Sequence, residues 1–373
     1  MLKRTILSLI QNDLSRNKVI LIIGPRQSGK TTLLKMLQNQ FSLPFTYYNC
    51  DDMEIRSALS VESSAKLRQF IGYDKIIMLD EAQRIENAGL NLKIIHDTMP
   101  DIRLIVTGSS AFELSDKINE PLTGRKIEYN LFPLAFEEMV DNSSVLDELS
   151  RRSIRLVYGS YPEVVMNPNA EVEILRSLCN SYLFKDIFTL FDVRKPDVIE
   201  KLLKALALQI GSEVSLRELS QLLDCDLSTI TRYIFMLQSA FIIFRLPNYS
   251  NNQRNELKRS QKYYFYDNGI RNALIADFRP IDLRDDIGKL WENYIVSEFI
   301  KRKNNHRLYN KEYFWRSLNG SEIDYLELKD NQLTAYEIKW NANKTGKFRG
   351  FLNHYPLANV NTINLENYLQ YLV

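Results

Sequence analysis

Val19-Ile20-Leu21-Ile22-Ile23 runs into Gly24-Pro25-Arg26-Gln27-Ser28-Gly29-Lys30-Thr31, and a helical pattern over Thr31–Gln40 comes next. A short apolar run rich in β-branched residues reads as a buried strand, and a glycine-bordered loop between strand and helix matches GxxxxGK[ST] in the context that pattern requires. The physical reason is direct. Glycines let consecutive backbone N–H groups curl around phosphate oxygens, and the helix N-terminus adds favourable partial charge. Lys30 offers a cation to the β- and γ-phosphates, and the Thr31 hydroxyl offers a ligand to Mg²⁺. The candidate nucleotide-contacting set is Gly24, Pro25, Arg26, Gln27, Ser28, Gly29, Lys30, Thr31 and Thr32, with ATP and Mg²⁺ as the implied cofactors. A chance match is the plain alternative, and the flanking strand and helix argue against it.

A second apolar run, Ile76–Leu79, ends in Asp80-Glu81. Here Asp80 is expected to hold Mg²⁺ through water and Glu81 to polarise the attacking water. A helix start that merely carries acids is the alternative. Further strand candidates are Thr46–Asn49, Ile102–Thr107 and Lys126–Leu131, with a helical pattern at Leu90–Thr98. Alternation of this kind reads as a parallel sheet with helices on both faces, with ligands at the carboxyl ends of its strands. After Ile102–Val106 come Thr107-Gly108-Ser109-Ser110, whose hydroxyls are read either as a γ-phosphate sensor, with Ser109 touching the nucleotide, or as a plain polar turn. Arg125, in Thr123-Gly124-Arg125, is the candidate arginine finger toward a neighbouring subunit; an ordinary surface arginine is the alternative.

The chain has 373 residues, 45% hydrophobic and 25% charged, which suits two or three globular domains. A net charge of +2 is too near neutral to argue for nucleic acid by itself, so any such reading rests on local patches. Three cysteines (Cys50, Cys179, Cys225) and three histidines (His96, His306, His354) are scattered without metal-ligand spacing. This speaks against a zinc site and a disulfide framework and suits a reducing cytoplasm. The opening MLKRTILSLI has too short an apolar part for a secretory signal, and the polar QNDLSRNK after it offers no small-residue cleavage site. No run reaches the length of a membrane span.

Farther along, Leu216–Leu223 is an amphipathic helix, Asp224-Cys225-Asp226 a turn, and Leu227–Gln238 a second helix with Ser228, Thr229, Thr231 and Arg232 on its polar side. Ala240–Leu246 reads as a strand and residues 251–260 as a basic loop or wing. This is a winged helix-turn-helix pattern. As a DNA reader it would place Thr229 and Arg232 in the major groove, with Arg254, Lys258 and Arg259 on backbone phosphates. As a packing module it would touch no nucleic acid.

Near the C-terminus, strands Glu322–Leu328 and Leu333–Trp340 flank Asp330-Asn331, a candidate two-residue hairpin turn. That register sets Asp324 opposite Glu337, and Lys339 shares a face with Glu337. Two carboxylates and a lysine on one sheet face suit a Mg²⁺ site that activates water. Glu292, on the apolar face of a Gly288–Ile300 helix pattern, wants a metal or a hydrogen-bond partner. The candidate metal ligands are Thr31 and Asp80 in the first site, and Glu292, Asp324 and Glu337 in the second. An ordinary cross-strand Glu–Lys pair is the alternative for the second. A helix over Lys347–Tyr355 and a strand over Asn359–Leu365 are expected to complete this region.

The succession GPRQSGKTT, LDEAQ, TGSSAF, LTGR and LFPLAFEE resembles prokaryotic AAA-type ATPases with a poorly characterised C-terminal half. GSYP, YLFKDI, YYFYDNGIRNAL, GKLWENYIVSEF and EIDYLEL with YEIK extend the likeness over nearly the whole chain. The resemblance implies an α/β multidomain chain: an AAA-like ATPase domain over 1–140, a helical connector over 141–195, a winged helix over 196–255 and a restriction-endonuclease-like domain over 256–373. Many AAA ATPases carry Asn where this chain has Thr107 or Ser109. Two functions emerge as expectations. One is an ATPase whose nucleotide cycle controls a nuclease-like or nucleic-acid-binding module. The other is a regulatory ATPase switch with an inert C-terminal half that binds a partner, whether protein or nucleic acid; a homo-oligomer is a separate expected partnership of the chain. Neither involves a membrane.

Overall fold

The computed structural model describes residues 2–41, 43–108, 120–183, 195–250, 261–317, 319–344 and 346–373. The chain folds into two compact units, Met1–Pro133 with Ser239–Phe241, and Leu134–Gln238 with Ile242–Val373. The connector, helix-turn-helix and C-terminal regions read separately in the sequence all fall in or largely in the second unit.

Among the described residues the first unit is built on five parallel strands: β1 (Val19–Ile23), β2 (Phe45–Asn49), β3 (Ile76–Asp80), β4 (Arg103–Gly108) and β5 (Lys126–Asn130). Their order is β2-β3-β4-β1-β5. Strands β1 and β3 are buried at every position, as strands covered on both faces must be. Ile20, Ile22, Leu33, Leu37, Met78 and Ile105 share one core cluster, which fixes the Lys30–Gln38 helix against the sheet. Because all five strands run the same way, the ends of β1, β3 and β4 lie at one edge: Ile23 pairs with Gly108, and Asn49 with Asp80. That edge carries the loop after β1 and the acids after β3.

The described residues of the second unit form two sheets. Strands β6 (Glu213–Val214), β7 (Ile243–Pro247) and β8 (Gln261–Phe265) pair antiparallel in the order β6-β8-β7. Helices Leu216–Leu222 and Leu227–Ser239 lie between β6 and β7 in the chain, the first capped by Ser215. The strand expected from Ala240 begins only at Ile243, because Phe241 takes a left-handed backbone (φ 58°) that ends the preceding helix and re-aims the chain. Ile230, Tyr233, Ile234 and Leu237 are buried, while Ser228, Thr231 and Arg232 are exposed and Thr229 is half-buried. Arg254, Lys258 and Arg259 lie outside the described residues.

Strands β9 (Lys311–Arg316), β10 (Glu322–Lys329), β11 (Gln332–Ile338) and β12 (Asn359–Ile363) form the other sheet, ordered β12-β11-β10-β9. Strands β9, β10 and β11 are an antiparallel meander, and β12 joins β11 in parallel. Asp330 and Asn331 both have positive φ (49° and 64°), the geometry of a tight hairpin turn, and Tyr325 faces Tyr336 in the expected register. The helix anticipated over Lys347–Tyr355 is a single turn, Arg349–Leu352. The Ile287–Asn305 helix is buried on nearly every side, so its polar residues find partners indoors. Asn293 bonds the backbone of Phe265, and Glu298 accepts from Phe136 N at 2.7 Å. Lys301 joins Glu298 (2.9 Å), Ser160 Oγ (3.1 Å) and the Leu134 carbonyl (3.2 Å). Nearby, Asp267 accepts from Ser160 N at 2.7 Å, and Gly159 turns with φ +72° where a Cβ would come within 2.1 Å of that carboxylate. The glycine of GSYP is thus a steric requirement. No helix among the described residues is long and apolar enough to cross a membrane.

Candidate functional site

The loop after β1 closes on itself through Ser28 N to Pro25 O (3.3 Å), then enters its helix at Gly29 in a left-handed conformation (φ 97°). Gln27 is left-handed too (φ 59°), a cost tolerated where a loop must present its amides. At Gly24 a Cβ would lie 2.2 Å from the Leu131 carbonyl, so only glycine lets the loop start so close to the chain beyond β5. Lys30 is buried and donates to the carbonyls of Gly24 (3.0 Å) and Pro25 (2.9 Å). Ser28 Oγ and Gln27 Oε1 are buried without a hydrogen-bond partner among the described residues, which is the state expected of a loop shaped for a polar guest. From the N-terminus, Arg4 ties the loop down by donating to Ser28 O (2.8 Å) and Phe132 O (2.7 Å).

Strand order brings the acids to this loop. Asp80, 2% exposed, accepts from Thr31 Oγ1 at 2.7 Å and from the Tyr47 hydroxyl at 2.8 Å. Thr107, at the end of β4, donates to the other Asp80 oxygen and accepts from Glu81 N at 3.1 Å. Glu81 itself is left-handed (φ 56°), and its carboxylate accepts from Gln83. Burial, then the hydrogen bond to Asp80, raises the Tyr47 hydroxyl far above its ordinary pKa, so it remains a donor. Burial and the charge of Asp80 push the Cys50 thiol up to about 12, leaving it no nucleophile. The Thr31 hydroxyl and the Asp80 carboxylate converge on one point beside the loop. That oxygen set fits Mg²⁺.

Tyr47, Thr107 (as a donor to Asp80), Arg4 and Gln83 complete this site; Thr107 carried a sequence signal in its place at the end of an apolar strand and Gln83 in LDEAQ, while Tyr47 and Arg4 carried none. Ser109 lies outside the described residues. Arg125 is not brought to the loop. It precedes β5, paired beside Val19 at the opposite end of the parallel strands, and it donates to Asp97 at 2.8 Å. The hydrogen bonds from Arg125 and His96 hold the Asp97 carboxyl below its usual range.

The second set of candidates meets in the second unit. Asp324 accepts from Ile338 N (2.8 Å) and Lys339 Nζ (3.2 Å), and Lys339 also donates to Glu337. Glu292 is turned elsewhere: its Oε1 accepts from Lys262 Nζ (3.1 Å) and the Tyr264 hydroxyl (2.6 Å). Burial pushes Glu292 up to about 7, Lys262 pulls it back, and Asp324 adds to the rise. Burial and Asp324 likewise push Glu337 up to about 7 against the pull of Lys339. Burial opposes the Lys262 ammonium, but Glu292, Asp324 and Glu322 together hold it well above its usual range. Among the described residues no three His, Cys, Asp or Glu side chains are gathered as a metal site. The expected set of Glu292, Asp324 and Glu337 is instead divided between two lysines, and its oxygens as placed do not fit a divalent ion. Lys262 and Tyr264 escaped the sequence reading, since a strand lysine among tyrosines looks like an ordinary edge residue. A cavity of about 670 Å³ opens beside the cluster, lined by Asn319, Ser321, Glu337, Lys339, Lys344 and Lys347 among others.

Similarity to known proteins agrees with this geometry. Residues 16–140 match the AAA domain. Residues 152–281 and 287–368 match two domains of unknown function, DUF8612 and DUF4143. An uncharacterized protein of Haemophilus influenzae is 28% identical over 354 residues, spanning 83% of this chain and 86% of the relative. One of Methanocaldococcus jannaschii is 24% identical over 364 residues, spanning 91% and 78%. A solved Walker-type ATPase of Pyrococcus abyssi shares 17% identity with a TM-score of 0.52, covering 74% of this chain and 96% of its own; this is a likeness of fold. The N-terminal part of this chain, with its parallel five-stranded sheet and GxxxxGKT loop, is a P-loop ATPase domain of the AAA type.

Proposed function

We propose that this chain hydrolyses ATP with Mg²⁺ and uses the nucleotide cycle to control a nucleic-acid-binding second unit. The carrying observation is the 2.7 Å bond between Thr31 and Asp80 beside a loop whose Ser28 hydroxyl lacks a partner among the described residues. Mg²⁺, when bound, supplies positive charge that stabilises the transferred phosphoryl group. Thr31, and Asp80 through water, would hold that ion. Lys30 brings its ammonium to the phosphate chain, and the loop amides bind the oxygens. Glu81 orients and polarises the attacking water, while Thr107 fixes the backbone from which Glu81 projects. In a phosphate-release assay, Lys30→Ala is expected to abolish nucleotide binding or turnover. Glu81→Gln is expected to keep nucleotide binding while turnover falls about 100-fold or more. Undiminished turnover in Glu81→Gln moves the water-positioning role to another residue.

For the second unit, two features support nucleic acid as the ligand: the cavity lined by Lys339, Lys344 and Lys347, and the helix pair with a three-stranded antiparallel sheet, an arrangement that suits a winged helix. The competing reading is a metal-dependent nuclease. It draws on a helix, antiparallel meander and parallel fourth strand, the layout of restriction-endonuclease-like cores, and on Asp324, Glu337 and Lys339. Incubating plasmid or branched DNA with Mg²⁺ or Mn²⁺, with and without ATP, separates the two. Retention of DNA without cleavage supports the binding module. Cleavage that Asp324→Ala abolishes supports the nuclease.

A further inference from the structure

Glu292 meets two donors from one strand. Lys262 and Tyr264 are two positions apart on β8, so they share a face, and both donate to the same carboxylate oxygen. The other oxygen lies against Gly211, where an added Cβ would be 3.1 Å away. Glu292 is therefore engaged on one oxygen, with the other beside Gly211. The Lys262 ammonium, 1% exposed, also reaches Glu322 Oε1 at 2.6 Å, and its third neighbour is the ring of Phe314, 5.4 Å to the centroid. Across the cluster, Lys339 bridges Asp324 and Glu337. Two ammonium groups thus knit four carboxylates from a helix and two strands. A hard dication such as Mg²⁺ demands about six oxygens at roughly 2.0–2.1 Å in near-octahedral array. It cannot share the Glu292 oxygen with an ammonium already bonded there, because the two cations would repel at close range.

We propose that Lys262 is the resident cation of this cluster, its ammonium occupying the Glu292 and Glu322 carboxylates that a divalent ion would otherwise need. The cluster holds its carboxylates together without metal, and deleting the ammonium turns it into a divalent-cation site. This inference is independent of the nucleotide chemistry of the first unit, and its readout is metal binding, so its failure is distinct from a failure of the ATPase reading.

The test is a titration of nucleotide-free, chelator-washed full-length protein with Mn²⁺, monitored by electron paramagnetic resonance. Wild type, Asp324→Asn, Lys262→Met and the Lys262→Met/Glu322→Gln double variant are compared. Wild type and Asp324→Asn are expected to take up the same amount of Mn²⁺, and Lys262→Met to gain a site that the double variant loses. A site in wild type that disappears in Asp324→Asn overturns the proposal, as does a folded Lys262→Met that gains none. Should Lys262→Met fail to fold, thermal melting decides with the wild type. Equal melting temperatures in Mn²⁺ and EDTA support the proposal; stabilisation by Mn²⁺ that vanishes in Asp324→Asn overturns it.

Discussion

Thr31 and Asp80, 49 positions apart in the chain, are joined by a 2.7 Å hydrogen bond from hydroxyl to carboxylate. The bond forms because β3 ends at the same sheet edge as the loop after β1. It pre-assembles two oxygens that the proposed Mg²⁺ ion would use. Asp80→Ala is therefore expected to reduce ATP turnover by about two orders of magnitude and to raise the Mg²⁺ concentration needed for half-maximal rate. Thr31→Ser should stay near wild type, since the hydroxyl survives. A magnesium titration of phosphate release reads both, and an unchanged Mg²⁺ requirement in Asp80→Ala would place the ion elsewhere.

Thr107 serves both acids, donating to Asp80 and accepting from the Glu81 amide. Thr107→Val keeps the shape and loses both bonds, leaving one oxygen of the buried Asp80 without this donor, at a cost of about 1–3 kcal/mol, and the half-buried Glu81 amide without its acceptor. We expect turnover to drop about tenfold with little change in nucleotide affinity, and Thr107→Ser to restore it. Paired binding and turnover measurements distinguish this positioning role from a loss of fold, which would lower both together.

The raised carboxyls of the second unit make its stability depend on pH. Glu292 and Glu337 stand at about 7 when folded, against an ordinary value of 4.5. Between those values the folded chain binds more protons than the unfolded chain, so stability falls as pH rises through that window. The contribution is complete below 4.5 and gone above about 7. Glu292→Gln removes one such proton, and its melting curve should vary less with pH, by about 1.4 kcal/mol per pH unit. Parallel melting profiles for variant and wild type between these limits would contradict this.

Lys301 compensates a fully buried acid. It holds Glu298 and bonds Ser160 and the Leu134 carbonyl, while Glu298 caps Phe136 N. Lys301→Met strands the Glu298 charge and should cost about 3–5 kcal/mol. Lys301→Met combined with Glu298→Gln should recover part of that loss, because an uncharged pair leaves no orphan charge. Urea unfolding of the single and double variants measures the coupling; strict additivity would mean the two side chains act separately.

The sequence alone determined the features that local spacing controls. GxxxxGKT between a strand and a helix specified the phosphate loop, because its glycines answer to backbone geometry within a few residues. Asp80-Glu81 came from an apolar strand that must end at a polar edge, and the Asp330-Asn331 turn set the β10–β11 register through a period of two. Strand order, by contrast, joins residues far apart in the chain. Tyr47 and Thr107 reach Asp80 only because β2 and β4 flank β3, and Arg4 reaches the loop from a segment with no motif. Arg125 stands at the far edge because parallel strands send their two ends to opposite sides. Whether Glu292 faced a metal or a lysine was likewise decided by tertiary structure: helical spacing says which face a side chain takes, while the charge waiting on that face comes from β8, brought there by packing.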